Sequence, residues 1–252
     1  MKRKAVQKSH DASSRRSAAK PAKSREEQSV TDSPAPLAFH VDIPKGLKDV
    51  LVKSRTQIKQ REKLLILPRD YSVEKHAAFI SEKPLSVKET LEQFTEYFLD
   101  KANEKSLRQS VEDSSIIPVI TRGLMVYFEK TLATNVLYYE ERGQYAFLDN
   151  HYRSGTTAVV ESIEEQPMCN WYGPDYLLRL LVILPEILSK SSLDGYSADL
   201  VGIYVQYLLS WMDDNKARLF LTPSQYIDTP PHYTTDVRRR NHGGGGGGKN
   251  EK

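Results

Sequence analysis

A mainly α-helical domain with a minor β element is what the sequence predicts, on three observations. Apolar residues recur at three- and four-residue steps in segment after segment between residues 45 and 212. Only one short run, "KLLILP" at Lys63–Pro68, is continuously apolar and stopped by proline in the manner of a strand. Both ends are low in apolar residues and rich in Lys and Arg, so they cannot offset the entropy of ordering.

The charge divides accordingly. Residues 1–36 carry nine Lys/Arg against four Asp/Glu, and residues 237–252 five against one. The body, 37–236, carries 22 against 28. The boundaries read are therefore a disordered basic tail over 1–36, a helical domain over 37–236 with a loop insertion at 150–167, and a disordered Arg/Gly-rich tail over 237–252. An acidic body with basic ends places any nucleic-acid affinity in the tails rather than on the folded surface.

Within the body, Pro44 precedes "GLKDVLVKSRTQIKQ", where Leu47, Val50, Leu51, Ser54 and Ile58 share one side of a helix. "HVDIP", just before it, is a weak candidate to pair with the strand. Ser86 and Glu89 make a capping box ahead of Val87, Leu91, Phe94 and Phe98. A helix from about Pro118 to Leu132 follows, then "NVLYYEERGQYAFL", read as a helix broken or ended near Gly143. The segment "WYGPDYLLRLLVILPEIL" starts a helix at Pro174 and should bend or break near Pro185. The last helix carries Leu200, Tyr204, Tyr207, Leu208, Trp211 and Met212 as its apolar stripe.

That greasy segment is not a membrane span. A span needs roughly 20 apolar residues, whereas Asp175, Arg179, Pro185 and Glu186 interrupt this one. The N-terminal residues carry charge with no apolar stretch behind it, unlike a signal peptide. Cys169 is the only cysteine, which excludes an intrachain disulfide and a multi-cysteine zinc cluster and fits a reducing compartment.

A search for catalytic chemistry finds decoys. "GGGGGGKN" satisfies a phosphate-loop spacing but has Asn250 where Ser or Thr would hold Mg²⁺, and no strand or helix flanks it. The histidines at 10, 40, 76, 151, 232 and 242 have no i,i+4 pairing, so no metal site is expected. No G-x-S-x-G elbow occurs, and Cys169 beside Met168 and Trp171 reads as a packed thiol. The sequence therefore predicts neither enzyme activity nor a cofactor. Arg179, the lone cation within its apolar helix, either reaches water or pairs with a carboxylate such as Glu140 or Glu141.

The blocks "IPKGLKDVLV", "LLILP", "GLMVYFEKTLATNVLYYEERGQY" and "YGPDYLLRLLVILPEIL", in that order, with the closing "QYIDTPPHY", resemble the MRG domain of the mortality-factor-related chromatin proteins. The resemblance covers nearly all of residues 40–233. It implies a mainly helical fold with a small β-hairpin, a nuclear location and no catalysis. It also implies a scaffold that recruits peptide segments of histone acetyltransferase and deacetylase complex subunits through a hydrophobic groove. Carried over by position, the groove residues are Ile43, Leu51, Val52 and Tyr138, with Leu178 and Leu181 as walls. Two departures stand out. Lys53, Ser54 and Arg55 occupy positions where the family commonly has an acidic pair and Trp, which removes a typical aromatic anchor. The residues before His40 include only Phe39 as an aromatic, so no methyl-lysine cage of the chromodomain type is expected from them. The alternative function is nucleic-acid binding through the basic tails, a weak contact, and a nuclear-import signal accounts equally well for the N-terminal clusters.

Overall fold

The structure, a computed structural model, describes residues 40–67, 84–102, 114–150, 167–231 and 233. The expected disorder of both tails and most of the 150–167 insertion lie outside those residues.

Helix α1 spans Lys45–Arg61 and buries Leu47, Ser54, Gln57 and Ile58. It stops at Glu62, whose φ of 52° turns the chain out of the helix while its N–H donates to the Gln57 carbonyl. The reversal feeds strand β1, Lys63–Leu65. Its antiparallel partner is β2, Tyr226–Asp228, with Leu64 opposite Ile227. The partner is therefore not "HVDIP", and the two-stranded sheet ties opposite ends of the domain together instead of forming a local hairpin. Asp42 of "HVDIP" exchanges backbone hydrogen bonds with the side-chain amide of Gln206, both 3.1 Å. A side chain thus occupies the hydrogen-bonding edge that a strand would have used.

Helix α2, Val87–Ala102, begins at the expected box: the Ser86 N–H donates to Glu89 Oε2 at 2.7 Å and the Glu89 N–H to Ser86 Oγ at 3.1 Å. Helix α3, Ile116–Thr131, runs directly into a π turn, Leu132–Val136. The chain then becomes extended at Leu137 and Tyr138, passes through a 3₁₀ turn at Tyr139–Glu141, and enters α4, Arg142–Leu148. The break thus falls at Leu137 and Tyr138, and Gly143 sits inside α4, contrary to the expected break there. The physical reason is Glu141, whose buried carboxylate accepts the Tyr138 N–H at 2.8 Å and restarts the helix.

After a 3₁₀ turn at Met168–Asn170, α5 spans Pro174–Ser189 with Pro174 at its first turn, then α6 spans Gly195–Asp214 and α7 Lys216–Leu219. The helix α5 is continuous through Pro185, so the expected break does not occur; the missing N–H leaves only one rung unmade. It packs against α1, α2, α3, α6 and the π turn, which explains why Leu177, Leu178, Leu180, Leu181 and Leu184 are all fully buried. Phe94 and Phe98 of α2 meet Tyr204 of α6 at ring separations of 5.0 and 5.6 Å. That aromatic cluster joins α2 to α6 within the core.

Candidate peptide-binding groove

Three elements leave a depression of about 260 Å³ open to solvent beside the core. From α1 come Leu51, Val52 and Arg55; from the π turn and the extended residues after it, Asn135, Val136 and Tyr138; from α5, Arg179, Val182 and Ile183. The α5 residues lie at i, i+3 and i+4, one face of that helix. The π turn carries Asn135 and Val136, which line the depression; such turns recur at functional sites.

Beneath the depression lies a buried charged cluster. Arg179, 6% exposed, donates from Nη1 to Glu141 Oε2 at 2.6 Å and from Nη2 to Ser54 Oγ at 3.2 Å. Its guanidinium lies 4.2 Å from the Tyr138 ring centroid and 4.7 Å from that of Tyr176. Lys59 Nζ lies 5.0 Å from the same Tyr138 ring. Of the two fates the sequence left open to Arg179, the structure selects pairing, and Glu141 is the partner. Burial disfavours the Arg179 charge, but the adjacent Glu141 outweighs it and raises the guanidinium above its ordinary value. Asp175, one turn earlier, is pushed up from 3.8 to about 7 by burial, against the pull of Arg179 and with help from Glu141. Glu141 Oε1, Asp175 Oδ1 and Arg179 Nε have no hydrogen-bond partner among the described residues. The cluster thus contacts Tyr138 from below, at its backbone through Glu141 and at its ring through Arg179.

The sequence-predicted residues divide in two groups. Leu51, Val52 and Tyr138 line the depression, Val52 being 64% exposed. Ile43 packs against the core without lining it. Leu178 and Leu181 are 0% exposed and form no wall; Val182, 44% exposed, and Ile183 stand there instead. An α-helix apolar nearly all round does not disclose which face stays open. The usable signal was Arg179, since the residues three and four beyond it share its face.

Elsewhere, a second depression of about 210 Å³ between α3, α5 and α6 is lined by Ile120, Leu124, Tyr127, Leu188, Leu193 and Val201, among others. Cys169 is buried, its backbone N–H donating to Glu129 Oε1 at 2.7 Å, and its thiol is pushed up to about 12 by burial and then by Glu129. Among the described residues no three His, Cys, Asp or Glu side chains are grouped to hold a metal, and no helix is long and apolar enough to cross a membrane.

Comparison with known proteins gives consistent neighbours. The chain is 29% identical over 195 residues to the chromatin modification-related protein EAF3 of Kluyveromyces lactis, covering 77% of this chain and 46% of that protein. It is 27% identical over 205 residues to the NuA4 complex subunit EAF3 homolog of Drosophila melanogaster, covering 81% and 41%. Against mortality factor 4-like protein 1 of Rattus norvegicus it is 28% identical over 193 residues, covering 77% and 50%. The chain thus spans about half the length of the curated relatives it matches. The MRG family model matches residues 14–228, and the helices, two-stranded sheet and groove described above all fall within that match: the chain belongs to the MRG family.

Proposed function

We propose that this chain is a non-catalytic, nuclear, chromatin-associated scaffold subunit of a histone-acetylation or histone-deacetylation complex, and that it holds a peptide of another subunit in the depression between α1, the π turn and α5. The observation that carries the reading is the half-buried Tyr138, fixed from below by the Arg179–Glu141 pair and facing an open hollow with Leu51, Val52 and Ile183. A hollow of this kind accepts one or two apolar anchors, each contributing about 2 kcal/mol on burial. The names of the relatives, chromatin modification-related protein and NuA4 complex subunit, support the setting.

The test is affinity purification of the full chain from nuclear extract with mass spectrometry, alongside Val52→Asp and Tyr138→Ala. Both variants are checked for native helicity first. Loss of acetylation- or deacetylation-complex subunits from both supports the groove, and an unchanged partner set from folded variants refutes it.

A further inference from the structure

Beside Val52, helix α1 carries cations that the proposed scaffold role does not assign to the partner. Lys48, Val52, Arg55 and Lys59 follow one another at steps of four, three and four residues, which at 100° per residue keeps them within an arc of about 60°. All four are exposed. Arg55 lines the depression, and Lys59 lies against its aromatic wall Tyr138. No carboxylate lines the depression among the described residues. Of its two charged lining groups, Arg179 is neutralised by Glu141, whereas Arg55 has no ion-pair partner among the described residues, and nor does Lys48. This basic stripe lies on a helix that also exposes Lys45, Lys53 and Arg61, within a body, residues 37–236, that carries an overall excess of acidic residues.

We infer that the groove takes a peptide with an apolar anchor and Asp or Glu residues on the side that faces α1. The inference rests on the groove reading above and specifies its partner. The anchor fills the hollow between Val52, Tyr138 and Val182, and the acidic flank meets Lys48, Arg55 and Lys59. Such charge matching selects the partner and speeds encounter, and it rejects basic peptides. A phosphate backbone would satisfy the cations but leave the apolar walls Leu51, Val52, Val182 and Ile183 unused, so a peptide is the favoured occupant.

The experiment is phage display of random dodecapeptides on the full 252-residue chain, followed by fluorescence anisotropy with the enriched peptides. The expected peptides combine an apolar anchor with Asp or Glu and lose binding to Val52→Asp and Tyr138→Ala. Their affinity falls about tenfold in the double variant Lys48→Glu, Arg55→Glu and declines with added salt. Both reversed positions are exposed, which keeps the fold out of the comparison. Peptides that need Val52 and Tyr138 but show no acidic enrichment and no response to charge reversal overturn the inference while leaving the groove standing. No enriched peptide, or peptides indifferent to Val52→Asp and Tyr138→Ala, overturn the groove reading itself. Displacement of the peptides by short duplex DNA, in a manner lost on charge reversal, overturns the peptide assignment in favour of nucleic acid.

Discussion

Arg179 and Glu141 meet at 2.6 Å in the interior, 38 residues apart in sequence, and this pair connects the core to the floor of the groove. Burying two charges is costly even when they pair, so the pair is weak evidence for stability, and its contacts to Tyr138 are the more informative feature. What it fixes is Tyr138: Glu141 accepts its backbone N–H and Arg179 lies against its ring.

Glu141→Gln should leave Arg179 buried without its counter-ion. The expected loss is about 3 kcal/mol in urea unfolding, towards the lower end for such pairs because Asp175 can then ionise beside Arg179. Replacing both members, Glu141→Leu with Arg179→Met, should recover part of that loss yet weaken peptide binding, because Tyr138 is no longer held. Stability and binding measured on the same variants separate the two roles.

Asp175 gives a pH dependence with a definite sign. Its folded value, about 7, exceeds the ordinary 3.8, so between those values the native state keeps a proton that the unfolded chain releases. Stability from this group therefore falls as pH rises from about 4 to 7, by at most about 4 kcal/mol. Asp175→Asn removes the dependence. Chemical denaturation should show the variant gaining on the parent as pH rises, with the largest gain above pH 7 and little difference near pH 4; the reverse order would refute the assignment.

Three hydroxyls join α2, α3 and α6. Tyr204 Oη lies 2.8 Å from Thr121 Oγ1 and 3.1 Å from Thr95 Oγ1, and the two threonines are 2.7 Å apart. Tyr204→Phe should cost about 1 kcal/mol in thermal or urea unfolding, since both threonines keep backbone acceptors at Ile117 and Leu91.

The Cys169 thiol, pushed up to about 12 from an ordinary 9.0, should hold about a thousandfold less thiolate than an exposed cysteine at the same pH. A thiol-specific chromogenic reagent should therefore label the native chain very slowly and the urea-unfolded chain at once. Rapid labelling of the native protein would refute the packed reading.

The sequence by itself determined the helical class, the capping box at Ser86 and Glu89, the start of α5 at Pro174 and the strand at Lys63–Leu65, because each depends on contacts within a few residues. It also disclosed three lining residues, Leu51, Val52 and Tyr138, through their resemblance to the family's pocket. Only the tertiary structure decided that β1 pairs with Tyr226–Asp228, that the helix breaks at Leu137 and Tyr138, and that Val182 and Ile183 line the open depression while Leu178 and Leu181 do not. Each of those outcomes depends on partners far along the chain. The apolar pattern of α5 fixes that it is buried, but which side stays open is set by the helices packed around it.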